Sequence, residues 1–291
     1  MDSHERQQLI LERLLRDGQV RISELTDEVS VSKMTIRRDL EALEREGLLK
    51  RMHGGATSAA PRGYEPPYGL RARAELEAKQ AIARSAAALV GDGDSVIVDG
   101  GTTGLEIARA LRDHTQLTVC TTSLRIAAEL ADDARLRLMI VGGTIRPGER
   151  SLSGELAESA FANLRFDALF LTASGVSVAD GVTEWNLEDA RVKRAALASA
   201  RRVIVVVDAT KLEQTAFAKV CDIDRVDVLV TDERIPPDLA RTLADRDVHV
   251  VVARVGRVAT LDGAAPLDGA APLDGAAPLD ALEAGGPRRA V

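Results

Sequence analysis

The sequence predicts an α/β protein in which an N-terminal winged helix-turn-helix precedes a domain built on a mostly parallel sheet. Three observations predict it. Residues 4–56 hold three short amphipathic helical segments and a glycine-turned hairpin. From Glu75 onward, helical stretches alternate with short apolar runs, the pattern of buried strands between helices. Between the two lies a small, polar, proline-punctuated stretch, Ser58-Ala59-Ala60-Pro61-Arg62-Gly63-Tyr64-Glu65-Pro66-Pro67, which reads as a linker. The expected organisation is 1–57 for the helix-turn-helix module, 58–74 for the linker and 75–254 for the α/β domain. Residues 255–291 form a tail in which Leu-Asp-Gly-Ala-Ala-Pro repeats three times. That tail is too polar and glycine-rich to build a core and is expected to be disordered.

In the first module, Leu9, Ile10, Leu14 and Leu15 fall at helical spacing from His4 to Asp17, and Gly18 stops the helix. Ile22, Leu25 and Val29 make a short second helix, with Ser23 or its neighbour as cap. With Ser32 as N-cap of the third helix, Ile36, Leu40 and Leu43 share the buried face, while Met34, Arg38, Glu41 and Arg45 point away and Thr35 and Arg37 flank that outer face. After Gly47, the run from Leu48 to Ala56 alternates and turns on Gly54-Gly55 as a small wing. Such a third helix reads a DNA groove. Candidate contacts are Ser32, Lys33, Met34, Thr35, Arg37 and Arg38 on the helix, with Arg51 and His53 in the wing. Residues 1–57 hold ten Lys or Arg against eleven Asp or Glu, so the argument rests on local clustering of cations and not on a basic module.

The α/β domain is expected to place strands at Ser95–Val98, Leu117–Cys120, Leu136–Val141, Ala168–Leu171, Val203–Val207, Val226–Val230 and Val248–Val252. In such sheets the ligand sits outside the carboxyl ends of the strands. The residues there are small and hydroxylic: Asp99-Gly100-Gly101-Thr102-Thr103-Gly104, Thr121-Thr122-Ser123, Gly142-Gly143-Thr144 and Thr172-Ala173-Ser174-Gly175. Glu188 and Lys193 follow on a helix and Lys211 in Asp208-Ala209-Thr210-Lys211. Glycine turns, hydroxyls and a helix N-terminus suit an anion. There is no GxGxxG after the first strand and no Walker lysine, so a phosphate bearing hydroxyls fits better than a nucleotide, and no cofactor is expected. The candidate ligand residues are Asp99, Gly101, Thr102, Thr103, Thr122, Ser123, Gly142, Gly143, Ser174, Gly175, Glu188, Lys193 and Lys211.

Composition narrows the class. Hydrophobic residues make up 45% of the 291 and aromatics 2%, so the core is aliphatic. A net charge of −7 argues against non-specific coating of nucleic acid, and no apolar run approaches membrane-spanning length. Cys120 and Cys221 lack metal-ligand spacing and read as buried thiols, which together with the absence of a signal-peptide pattern suits a cytoplasmic protein with no metal site.

In Thr35-Ile36-Arg37-Arg38-Asp39-Leu40, Arg51-Met52-His53-Gly54-Gly55-Ala56, Asp99-Gly100-Gly101-Thr102-Thr103, Gly142-Gly143, Lys193-Arg194, Asp208-Ala209-Thr210-Lys211 and Thr231-Asp232, the chain resembles the DeoR-type bacterial transcriptional regulators. The resemblance runs from about residue 4 to 253. It implies a Rossmann-like sensor domain similar to ribose-5-phosphate isomerase, binding of double-stranded operator DNA by a homo-oligomer, and repression relieved by a phosphorylated sugar or polyol. The family usually has Thr-Asn-Ser at Thr121-Thr122-Ser123 and often Ala-Asp-Gly at Ala173-Ser174-Gly175. With Glu184-Trp185-Asn186, these departures look more like the glycerol-phosphate-sensing branch than the pentose or hexose branches. The competing class is a sugar-phosphate isomerase carrying a DNA module, with Asp99, Glu188 and Lys193 as acid and base. Against it, Thr172-Ala173-Ser174-Gly175 holds no carboxylate and Lys193 lies in a helix.

Overall fold

The computed structural model describes residues 2–45, 48–58, 63–256 and 270–272. The first module runs α1 (Ser3–Asp17), β1 (Gln19–Arg21), α2 (Ile22–Val29), α3 (Lys33–Arg45), β2 (Leu49–Met52) and β3 (Gly55–Ser58). Asp2 and Glu5 close a capping box on α1, and Gly18 ends it in the left-handed conformation. Ser32 accepts the Thr35 amide at 3.1 Å, as expected of the α3 cap. The α2 cap differs from expectation. The helix begins at Ile22 behind Arg21, which makes no side-chain cap bond, because the Ile22 amide is already taken by the Gly54 carbonyl of the wing at 2.9 Å. The wing is a three-stranded sheet of order β1-β3-β2, and Ile10, Leu14, Leu25, Ile36, Leu40 and Leu43 make its core with the helices.

The chain then forms α4 (Tyr68–Arg73) and α5 (Leu76–Ala87), so the stretch read as a linker folds into a helix that packs on both α1 and the α/β domain. There follow β4 (Ser95–Val98), α6 (Thr102–Ala110), β5 (Thr118–Thr121), α7 (Leu124–Leu130), β6 (Arg137–Ile140), β7 (Thr144–Arg146), β8 (Ser151–Ser153), α8 (Glu155–Ala160) and β9 (Phe166–Leu171). Then come β10 (Gly175–Ser177), β11 (Gly181–Glu184), α9 (Leu187–Ser199), β12 (Ala200–Val206), β13 (Ala218–Cys221), β14 (Val228–Asp232), α10 (Pro237–Ala244), β15 (His249–Ala253) and β16 (Ala270–Pro272).

All seven expected strands form one sheet of order β15-β14-β12-β9-β4-β5-β6, parallel throughout. Alternate residues feed two cores: Val96 and Val98 lie under α5, α6 and α7, while Ile97 packs on the side of α8, α9 and α10. The order reverses between β4 and β9, which places the ligand crevice at the ends of those two strands. The tail contributes β16, three residues paired antiparallel to β15, where an open sheet edge offers unpaired backbone groups. Val255 and Gly256 follow β15 in a turn, and the rest of the expected disordered tail lies outside the described residues.

Two small antiparallel units escaped the sequence reading: the β7–β8 hairpin and the sheet β10-β11-β13. Their strands are three or four residues long, too short for a period of two to declare itself. Cys120 and Cys221 are buried and free, and burial pushes both thiols up to about 11. Among the described residues no helix is long and apolar enough to cross a membrane.

Candidate functional site

On the first module, Ser32, Lys33, Met34, Arg37 and Arg38 are exposed along one face of α3, and Thr35 is half-buried beside them. Lys33, Arg37 and Arg38 form no ion pair among the described residues. Asp39 turns the other way. It is buried and receives Arg6 at 2.8 Å and Ser3 at 3.0 Å, which pins α3 to α1 and aims the two preceding arginines outward. In the wing His53 is exposed, whereas Arg51 is drawn back onto Glu44 at 2.6 Å and Glu41 at 2.7 Å. Arg51 therefore braces the wing against α3 while staying at the surface.

At the switch point, β4 ends in Asp99, whose carboxylate accepts the Thr172 amide at 3.1 Å and hydroxyl at 2.7 Å from the end of β9. Gly101 then turns the chain with φ of 100°, a conformation open to glycine, and α6 starts at once. The first intrahelical bond is made by the Leu105 amide, so the amides of Thr102, Thr103 and Gly104 have no helical acceptor.

These residues line one cavity. Asp99, Gly101, Thr102, Thr103, Thr122, Ser174, Lys193 and Lys211, all expected from the sequence, meet in its wall. Lys193, on α9, is buried and lies between Asp99 at 2.9 Å and Glu184 at 2.5 Å, with the Thr172 carbonyl also at 2.9 Å. Burial alone would lower its pKa, but the two carboxylates outweigh it and hold the ammonium above its ordinary range. Burial pushes Glu184 the other way, and Lys193, with the Ser174 hydroxyl and the Trp185 amide, holds its carboxyl below the usual range.

The same cavity is lined by cations of another kind. Lys211 extends over the Trp185 ring, 4.9 Å from its centre, and makes no hydrogen bond or ion pair among the described residues. Buried Lys79 donates only to backbone carbonyls, and burial brings its pKa down to about 8. Burial also lowers that of Lys211. Arg71 lies beside them, ion-paired with Glu65 at 3.0 Å and with Glu149, its guanidinium 5.4 Å from the Trp185 ring centre.

Five expected residues stand outside the cavity lining, each for a structural reason. Ser123 caps α7, accepting the Ile126 amide at 3.4 Å. Gly143 lets β8 approach, since a Cβ there would lie 2.6 Å from the Ser153 carbonyl oxygen, and Gly175 lets Gln214 approach, with a corresponding 2.5 Å. Gly142 is exposed before that close approach. Glu188 is exposed and accepts from Ser153 at 3.2 Å. The cavity takes Glu184 and Asp189 instead, together with Glu65, Arg71 and Lys79. Glu184 and Trp185 were conspicuous in the sequence. Arg71 and Lys79 carried no local signal, because only the fold-back of α4 and α5 brings them to the strand ends.

Family models match both domains of the chain. A DeoR-like helix-turn-helix domain matches residues 6–62, and a DeoR C terminal sensor domain matches residues 74–233. The HTH-type transcriptional regulator GlpR of Haloferax volcanii is 36% identical over 85% of this chain and 96% of its own. The glycerol-3-phosphate regulon repressor of Escherichia coli K12 is 31% identical over 86% of this chain and 99% of its own. Among solved structures, ribose 5-phosphate isomerase A from Methanocaldococcus jannaschii aligns with 47% of this chain and 55% of its own, at 18% identity and a TM-score of 0.35. With both domains matched in order and full-length relatives named as regulators and repressors, the chain belongs to the DeoR family of DNA-binding transcriptional regulators.

Proposed function

We propose that the protein represses genes of carbohydrate or polyol metabolism and leaves its operator when a phosphorylated sugar or polyol fills the cavity at the β4 and β9 ends. One observation carries the reading: buried Lys79 and half-buried Lys211, which feel the charge of Asp208 but form no ion pair among the described residues, line the same cavity as the α6 N-terminus, whose first amides have no helical acceptor. A phosphate dianion supplies the missing charge and accepts those amides. Asp99, Ser174 and Glu184, on the neutralised side around Lys193, are acceptors and donors suited to hydroxyls.

Operator binding falls to α3. Arg37 and Arg38 reach base edges or phosphates, Thr35 a phosphate or thymine methyl, and His53 the backbone beside the groove. Because the chain carries −7 overall, these few cations are not enough singly, and a homo-oligomer with two recognition helices on paired half-sites supplies the affinity. Effector favours a DNA-incompetent arrangement, and by reciprocity DNA weakens effector binding.

The cavity reads as a sensor and not as a catalytic centre. Buried Lys193 is held charged between two carboxylates, a state unsuited to a general base, and Glu188 is exposed outside the cavity lining. The test is binding of the purified protein to DNA from its own upstream region, with and without a panel of sugar and polyol phosphates. Release by one of them is the expected result, and turnover of pentose phosphates in a coupled assay would reject the sensor reading.

A further inference from the structure

The corner between α4 and α5 touches the cavity on one side and the DNA-binding module on the other. On the cavity side, the Lys79 ammonium donates to the carbonyls of Arg71 and Ala74, at the C-terminus of α4. The next residue, Glu75, sits at φ of 54°, a left-handed conformation that side-chain-bearing residues seldom hold. Its carboxylate is gripped by Arg234 at 2.7 Å, and Arg234 is gripped in turn by Asp232 at 2.7 Å. Asp232 also accepts the Ala209 amide at 2.7 Å, in the turn that carries Lys211. On the far side, Arg73 of α4 reaches Glu12 of α1 at 3.5 Å. Both lysines that form no ion pair among the described residues thus connect to this corner, Lys79 directly and Lys211 through Asp232 and Arg234.

We propose that this corner is the element that couples the cavity to the DNA-binding module. The proposal rests on the effector reading above and adds its route. A phosphate dianion competes for the Lys79 ammonium better than two neutral carbonyls do. Drawing Lys79 away leaves the last carbonyls of α4 without their donor, and Glu75 has an ordinary right-handed or extended conformation to relax into. The Arg73 contact then shifts α1, and with it α3 through the Arg6–Asp39 pin. Both sites bias one element that has two arrangements, which is what coupling requires.

The test uses the full chain in four forms: unmodified, Arg73→Glu, Glu12→Arg and the double swap. The Arg73 side chain is 74% exposed, so its replacement leaves folding intact. Trp185, the single tryptophan, stands in the cavity wall and reports occupancy by fluorescence during titration with glycerol 3-phosphate, with inorganic phosphate alongside. Operator affinity is measured on labelled upstream DNA with and without saturating glycerol 3-phosphate, and the ratio of the two affinities is the coupling. Arg73→Glu is expected to keep the fluorescence-reported affinity within about twofold while lowering the ratio about fivefold, the scale of one exposed ion pair, and the double swap restores it. An unchanged ratio in Arg73→Glu overturns the proposal, as does a uniform loss of DNA binding with the ratio preserved. A chain whose Trp185 responds to none of the panel of sugar and polyol phosphates, glycerol 3-phosphate included, overturns the effector reading and the coupling together.

Discussion

The two ends of the molecule use positive charge in opposite ways. On α3, Lys33, Arg37 and Arg38 stand in solvent with no acid to meet them among the described residues, whereas in the sensor cavity every cation is at least half removed from water. The exposed set costs the fold almost nothing and is held ready for a polyanion. The buried set is costly, and the cavity divides the cost: Lys193 is ion-paired with two carboxylates, while Lys79 and Lys211 touch carbonyls and an aromatic face and feel the Asp208 charge without pairing to it. Removing the ion-paired Lys193 therefore harms stability, whereas removing a cation from α3 harms only recognition.

The largest expected effect tests the buried side. Lys193→Met leaves Asp99 and Glu184 facing each other without a counter-charge and is expected to destabilise the sensor domain by about 3–5 kcal/mol, read from urea unfolding. A loss within experimental error would show that the carboxylates take up protons at little cost. Next comes the joint between the regions' logics, Asp39. Asp39→Asn weakens the bonds from Arg6 and Ser3 and is expected to cost the first module about 2 kcal/mol. Operator affinity should fall with it, because the pin that aims α3 is gone.

On the exposed side, Arg38→Ala is expected to lower operator affinity by about tenfold or more while leaving unfolding and effector affinity unchanged. Unaltered operator binding would remove Arg38 from the DNA-contact set. The smallest effect is a pH dependence. Lys79 is held at about 8 against an ordinary value of 10.5, so the folded protein gives up this proton before the unfolded chain does. Stability therefore rises with pH between about 8 and 10.5 as the buried charge is relieved. Affinity for an anionic effector moves the other way, falling by up to about tenfold from pH 7 to 9 as the ammonium is lost. Calorimetric titration across that range checks it, and Lys79→Gln should flatten the profile. A slope that persists in Lys79→Gln would assign the titration elsewhere.

Much of the cavity was legible because its residues follow strands that announce themselves. Val96, Ile97 and Val98 are apolar on both faces of the sheet, and whatever comes next, Asp99 to Thr103, must lie at its carboxyl edge. Asp39 was less legible: it sits in a charged run, and only the approach of Arg6 from α1 makes it a buried pin. Glu188 and Glu184 show the same limit. Both are acids near Lys193 in the chain, yet the strand β11 carries Glu184 into the cavity and the first turn of α9 carries Glu188 to the surface.

The helices of the first module, the seven main strands, their order and the chemistry at the strand ends were set by the sequence alone, because helix caps, apolar periodicity and glycine turns act over a few residues. Only the tertiary structure decided which charges meet. Whether Lys193 is neutralised, whether Lys211 is left facing an aromatic ring and whether the segment after Gly63 is a tether or a wall depend on contacts between residues tens of positions apart. Charge pairing in a buried site is set by distances of a few ångströms and by exclusion of water, and neither is written in local spacing.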